Sequence, residues 1–167
     1  MSLPPICWYC IFQALLLLIA ANGAPVISSK VLGIRLAWPV DNGLKLRDGH
    51  RLFGDSKTWR GLFSAVFFTT VITILLGIQP LTGILFGALT VAGDLMASFI
   101  KRRMGNAVSS RARGLDTVPE SLLPLWLLKD SLALSLIDIS VAVGLFFLIE
   151  EFISPVLYKL HIRNQPY

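Results

Sequence analysis

The stretch DGHRLFGDSKTWRG, residues 48–61, crowds charge and glycine against the start of a long apolar run. Its side chains suit an anion. Lys57 is a compact cation for a phosphate oxygen, Thr58 can donate a hydrogen bond, and Gly54 lets backbone come close to a ligand. Arg60 and the first amides of the helix that follows would extend the same anion site. The run is not a Walker A loop, because Asp55 and Ser56 separate Gly54 from Lys57 and because a P-loop joins a strand to a soluble helix. A plain topology anchor would account for Arg51, Lys57 and Arg60. It leaves Asp48, Gly49, Gly54 and Asp55 without a reason, which favours a binding loop.

A second stretch, GDLMASFIKRR, covers residues 93–103. Asp94 lies in an apolar helical run, where an ionised carboxylate is costly and generally marks a site; its expected partner is a metal ion or Lys101. Asp94, Ser98 and Lys101 follow at intervals of four and three, so they share one helix face and present a carboxylate, a hydroxyl and a cation in order. Gly93 would let a neighbouring helix pack closely. The third stretch, RARGLDTVPESLLP, residues 111–124, puts Asp116 and Glu120 around a helix start, with Pro119 in the first turn. Capping by Asp116 or Thr117 is the competing reading. Taken with Asp94, Asp116 makes a pair of carboxylates on adjacent helix ends at one membrane face, which suits one or two Mg²⁺ ions bridging nucleotide phosphates. Asp94, Lys101 and Asp116 are the expected catalytic groups, and Asp94, Asp116 and Glu120 the expected metal ligands. Glu150 is a further acid that could complete the set. His50 and His161 lack metal-ligand spacing.

These stretches need elements to hold them. The chain has 167 residues, 54% of them hydrophobic and only 15% charged, with a mean hydropathy of +0.70. That is short of solvated surface for a soluble domain. Five apolar runs, at 6–24, 61–78, 81–100, 121–137 and 138–160, predict an all-α polytopic membrane protein, one domain over 1–167 with about five transmembrane helices. The first run lacks the positive flank of a signal peptide and reads as a retained helix. Lys129 and Asp130 interrupt the fourth run and read as structural. Cys7 and Cys10, the only cysteines, read as small hydrophobes.

Five spans put loops 25–60 and 101–119 on one face, and of the 15 basic residues only Lys129 lies outside those loops and the C-terminal tail. Positive loops stay inside, which predicts a cytoplasmic-membrane protein with its N-terminus out and both loops cytoplasmic. Basic residues confined to membrane-flanking loops argue against nucleic-acid binding and for anionic headgroups or nucleotides.

The strings ANGAPVI, PVDNGLKLRDGHRLFGDSKTWRGL and GDLMASFIKRR resemble the CDP-archaeol synthase family, integral-membrane relatives of the CTP:phosphatidate cytidylyltransferases. The wider cytidylyltransferase pattern of a Gly-Asp pair, then S-x-x-K-R, then an Asp before the next helix falls here on Gly93-Asp94, on residues 98–102 and on Asp116. The family's second acid in that last segment is replaced or shifted to Glu120. The resemblance implies transfer of CMP from CTP to a lipid phosphate, either an archaetidate-like di-O-geranylgeranylglyceryl phosphate or phosphatidate, with Mg²⁺ as cofactor. It implies a nucleotide site of Asp48, Gly54, Lys57, Thr58, Arg60, Ser98 and Arg102. A homodimer stands as an expectation beside the monomer. Rival readings are a transporter or assembly protein, which would use the intramembrane acids without a nucleotide, and a CDP-alcohol phosphotransferase, whose D-G-x-x-A-R run DGHR does not supply.

Overall fold

A backbone in hydrocarbon must satisfy its own hydrogen bonds, so long apolar runs fold as helices. The computed structural model describes residues 5–105 and 116–159. Among these residues it has five helices and no strand: α1 Trp8–Leu32, α2 Trp59–Leu75, α3 Pro80–Arg103, α4 Thr117–Leu127 and α5 Leu136–Lys159. The helices α1 and α3 are long and apolar enough to cross a bilayer, and α2 is apolar over 17 residues. Large apolar side chains such as Phe63, Phe67, Leu75 and Phe152 stay exposed on the outside. This is the surface of a protein solvated by lipid. The core is a narrow seam instead, with Ile11, Leu17 and Leu18 of α1 meeting Phe86 of α3, Leu125 of α4 and Phe146 of α5.

Tight helix contacts set the order of the bundle. Pro80 opens α3 at its first turn, where its missing N–H costs nothing. The Thr69 hydroxyl of α2 donates to the Gly83 carbonyl of α3 at 2.9 Å. A Cβ on Gly83 would stand 2.7 Å from the Thr70 Cα, and one on Gly87 would stand 2.7 Å from the Val66 Cα. Only glycine lets these two backbones come so close, which is how small residues join membrane helices.

Two helix boundaries differ from the sequence expectation. Helix α1 runs through Pro25 to Leu32, whereas the apolar run suggested an end at residue 24. The Ser28 hydroxyl donates to the Pro25 carbonyl at 2.9 Å, and the helix continues with α2 packed beside it. The fourth run is not one span. Helix α4 ends at Leu127, and turns follow, in which Ala133 takes a positive φ of 51°. Lys129 and Asp130 belong to that turn, where the Lys129 carbonyl accepts from Leu134 N at 2.8 Å. Helix α5 then starts at a reciprocal cap, with Asp138 N donating to the Ser135 hydroxyl and Ser135 N to the Asp138 carboxylate. At the same end of the bundle Cys7 N donates to Asp138 at 2.9 Å. Cys7 and Cys10 are joined as a disulfide there, which corrects their reading as separate small hydrophobes.

Candidate active site

The segment between α1 and α2 is a folded loop. Its base is closed by Val40 N donating to the Lys57 carbonyl at 2.8 Å and Trp59 N to the Trp38 carbonyl at 3.0 Å. Its tip is a small hairpin, with Leu46 N on the His50 carbonyl and Leu52 N on the Leu44 carbonyl, both at 3.0 Å. Between base and tip sits Asp41, whose side chain is shut off from solvent. It accepts from Gly43 N at 3.1 Å, Phe53 N at 3.1 Å and Gly54 N at 2.9 Å. It also pairs with Arg51, which reaches Asp55 with its other nitrogen. Burial alone would raise the Asp41 carboxyl, but the Arg51 guanidinium and the three amides hold it well below the usual carboxylate range. Gly54 meets the conformation this needs, with φ 101°. Sequence reading passed over Asp41, although the string Asp-Asn-Gly at 41–43 is a turn signal.

The loop aims Lys57 at the bundle. Its ammonium lies 2.6 Å from both carboxylate oxygens of Asp94 on α3. Burial opposes the Lys57 charge, but Asp94 first, and then Glu120 and Asp116, hold its pKa above the ordinary value. The partner of Asp94 is therefore Lys57 and not Lys101. Lys101, two turns along α3 and nearly buried, pairs with Asp116 at 2.6 Å. Asp116 sits at the start of α4 without capping it. Glu120, buried in the first turn of α4, faces Glu150, Asp94, Lys57 and Asp116, and the Thr117 hydroxyl donates to Glu150 of α5 at 2.7 Å. The loop, α3, α4 and α5 thus bring two lysines and four carboxylates to one end of the bundle.

A close approach of backbones makes this possible. A Cβ on Gly93 would stand 2.6 Å from the Pro119 carbonyl carbon and 2.7 Å from the Glu120 Cα. Glycine at 93 lets the first turn of α4 lie against α3, so that Glu120 comes opposite Asp94.

The other expected site residues are placed as follows. Ser98 and Arg102 are buried on α3. The Thr58 hydroxyl accepts from Gly61 N at 3.2 Å and caps α2. Arg60 turns away from the carboxylates and donates to the Gly33 and Arg35 carbonyls, at 2.7 and 2.8 Å, where α1 ends. Asp48 accepts from His50 N at 3.0 Å and pairs with Arg103 at the end of α3. Desolvation opposes its charge, but the His50 amide and Arg103 hold the Asp48 carboxyl below its usual value.

The expected metal ligands Asp94, Asp116 and Glu120 lie at this end of the bundle, two of them engaged by lysines. Among the described residues no three acidic, histidine or cysteine side chains are gathered closely enough to hold an ion by themselves. The reason is local. Asp94 and Asp116 each meet a lysine that neutralises them, as a carboxylate in an apolar bundle requires. Mg²⁺ commonly takes one or two carboxylates and completes its shell with substrate phosphates and water. Asp94 and Asp116 offer hard oxygen donors of the kind that use needs, each beside a lysine ammonium.

A family model described as CarS-like CDP-archaeol synthase matches residues 8–84. A CDP-archaeol synthase of Sulfurisphaera tokodaii is 34% identical over 98% of this chain and 99% of its own length. One of Saccharolobus solfataricus is 32% identical over 80% of this chain and 84% of its own, and one of Pyrococcus horikoshii is 41% identical over 58% and 59%. A solved structure described as an intramembrane enzyme for archaeal membrane lipids biosynthesis superposes with a TM-score of 0.63 at 26% identity, covering 81% of this chain and 89% of that one. With such relatives matched over most of both chains, the protein is a membrane enzyme belonging to the CDP-archaeol synthase family.

Proposed function

We propose that the protein transfers CMP from CTP to a lipid phosphate at the cytoplasmic face of the membrane. An oxygen of the lipid phosphate attacks the α-phosphorus of CTP in line. The bond from that phosphorus to the α–β bridging oxygen breaks, pyrophosphate leaves, and a CDP-lipid remains. An archaetidate-like di-O-geranylgeranylglyceryl phosphate is the acceptor that the names of the relatives favour over phosphatidate.

The observation that carries this reading is Lys57, held by a folded loop at the mouth of the bundle with its ammonium on Asp94. Such chemistry needs no covalent nucleophile, because positioning and charge stabilisation supply most of the rate. Mg²⁺, when bound, would supply counter-charge to the triphosphate, held by Asp94 and Asp116. Lys57 would then leave Asp94 and donate to a phosphate oxygen, with Lys101 making the same exchange from Asp116. Gly54 brings backbone to the nucleotide, and Ser98 and Arg102 line α3 behind it. Because Thr58 caps α2 and Arg60 closes the end of α1, their part is to fix the frame of the loop.

The loop carries Lys45, Arg47, Arg51 and Lys57, which supports a cytoplasmic face for this end and an outward N-terminus. Exposed Trp8 and Tyr9 at the start of α1, with exposed Trp38 and Trp59 at the other end, mark two interfaces in keeping with a bundle that crosses the bilayer. One substrate is then anchored with its phosphate at the surface, where the loop stands ready.

The test is incubation of the purified protein with Mg²⁺, CTP labelled at the α-phosphate and each lipid phosphate in turn. The expected result is label in the lipid fraction with a CDP-lipid mass. Failure of every lipid phosphate to take label would remove the reading.

A further inference from the structure

We propose that Arg103 is a positioning residue that fastens the nucleotide loop to the end of α3 and thereby sets Lys57, with Asp48 as its counter-ion and not a ligand of the nucleotide. This rests on the transfer reading above and adds a residue that reading does not use.

Arg103 is the last residue of α3. Its guanidinium makes three contacts to one short arch of the loop: an ion pair to Asp48, a hydrogen bond to the Arg51 carbonyl at 2.7 Å and a longer one to the His50 carbonyl at 3.4 Å. The Phe99 ring lies under it at 5.2 Å, one turn back on the same helix. A planar guanidinium holds such a fork in one orientation, which an ammonium cannot do.

The contacts lead inward from there. The Arg51 side chain pairs with Asp41, and Asp41 takes the amides of Phe53 and Gly54. The Gly54 carbonyl accepts from Lys57 N at 3.3 Å, and the Lys57 ammonium ends on Asp94. Asp94 and Arg103 lie nine positions apart on one helix, about 13.5 Å along its axis. The loop is therefore clipped to α3 at two points, and the outer clip fixes the arch from which the inner one reaches. The chemistry of Asp48 agrees. A carboxylate repels a triphosphate, whereas beside Arg103, with its other oxygen on the His50 amide, it holds the arch closed.

The experiment is a double-variant cycle on equilibrium binding of Mg²⁺-CTP to purified protein, with hydrogen exchange of the loop amides at 44–54 measured without nucleotide. Arg103→Ala should weaken nucleotide binding on the order of tenfold through misplacement of Lys57. Arg103→Lys, which keeps the charge and loses the fork, should fall in between and covers the case in which Arg103→Ala does not fold. The loop amides should exchange faster in Arg103→Ala and in Asp48→Asn. With Lys57→Ala already present, Arg103→Ala should add little further loss.

Additive losses would mean that Arg103 meets the nucleotide on its own account, which overturns the proposal. Unchanged loop exchange in both Arg103 variants overturns it as well. If the wild-type protein binds no CTP, the transfer reading fails instead, and faster loop exchange in Arg103→Ala would still uphold the strap.

Discussion

Replacing Gly93 with alanine adds one methyl group where α3 faces the first turn of α4. That carbon would stand 2.6 Å from the Pro119 carbonyl carbon and 2.7 Å from the Glu120 Cα, both of them backbone atoms that cannot rotate aside. Carbon atoms rest about 3.5–4.0 Å apart, so α4 must retreat by about 1 Å at its first turn. Overpacking of this kind costs about 1–3 kcal/mol, which a helix bundle can bear without unfolding. The larger effect falls on the site, since Glu120 and Asp116 ride on the displaced turn. A misplacement of about 1 Å can cost on the order of 100-fold in rate. The assay is the initial rate of label transfer from CTP to lipid at saturating CTP, with size-exclusion elution as the check on folding. Gly23→Ala is the control, because a Cβ there meets nothing within 4 Å, and it should leave the rate unchanged. A Gly93→Ala protein that elutes normally and keeps more than about half of the wild-type rate would refute the claim that this contact positions the acids.

Asp94→Asn should abolish transfer in a protein that still inserts and elutes normally, and near-normal turnover would dismiss the proposed role of Asp94. Glu120→Gln should also lower the rate severely if the shifted acid serves the site, as measured by the same transfer assay. Lys57→Ala removes one charge-assisted phosphate contact and should weaken CTP binding by about 1.5–3 kcal/mol, read by equilibrium titration. The Asp41 carboxyl is held below its unfolded value of about 3.9, so the stability it lends is fully present above that pH and is lost as pH falls through the depressed folded value. The difference in melting temperature between wild type and Asp41→Asn should therefore stay constant from about pH 8 to pH 5 and shrink only below about pH 4. Reporter fusions at Leu44 and Gln79 should report opposite sides of the membrane.

Much of the helical content is legible in the sequence, because a bilayer leaves apolar runs few other structures. What composition does not record is where a helix yields. The first apolar run stops at residue 24, yet α1 passes through Pro25 to Leu32 with α2 packed beside it. The fourth run reads as a single span, yet Lys129 and Asp130 fall in a turn, and the reciprocal cap of Ser135 and Asp138 starts α5 close to where the charge pattern puts it. At the site, the intramembrane rarity of Asp94 and the spacing of Lys101 are visible from residue types alone. Their partners are not, because the choice between Lys57 and Lys101 for Asp94 depends on how the loop folds back. Asp41 shows the same limit. Its turn signal is local, but its worth comes from amides 12 and 13 positions away.

The contact between Cys7 and Asp138 spans 131 positions, and it joins the first helix to the last. At a synthesis rate of about 5–20 residues per second, α1 waits roughly 7–26 s in the membrane before its partner is made. The Thr117 contact to Glu150 at the opposite end is likewise formed only once α5 arrives. The final helix therefore acts as a closing bolt on both faces at once. A nascent chain halted after α4 carries Lys57, Lys101, Asp94, Asp116 and Glu120, yet it lacks Glu150 and both of these closing contacts until α5 is made.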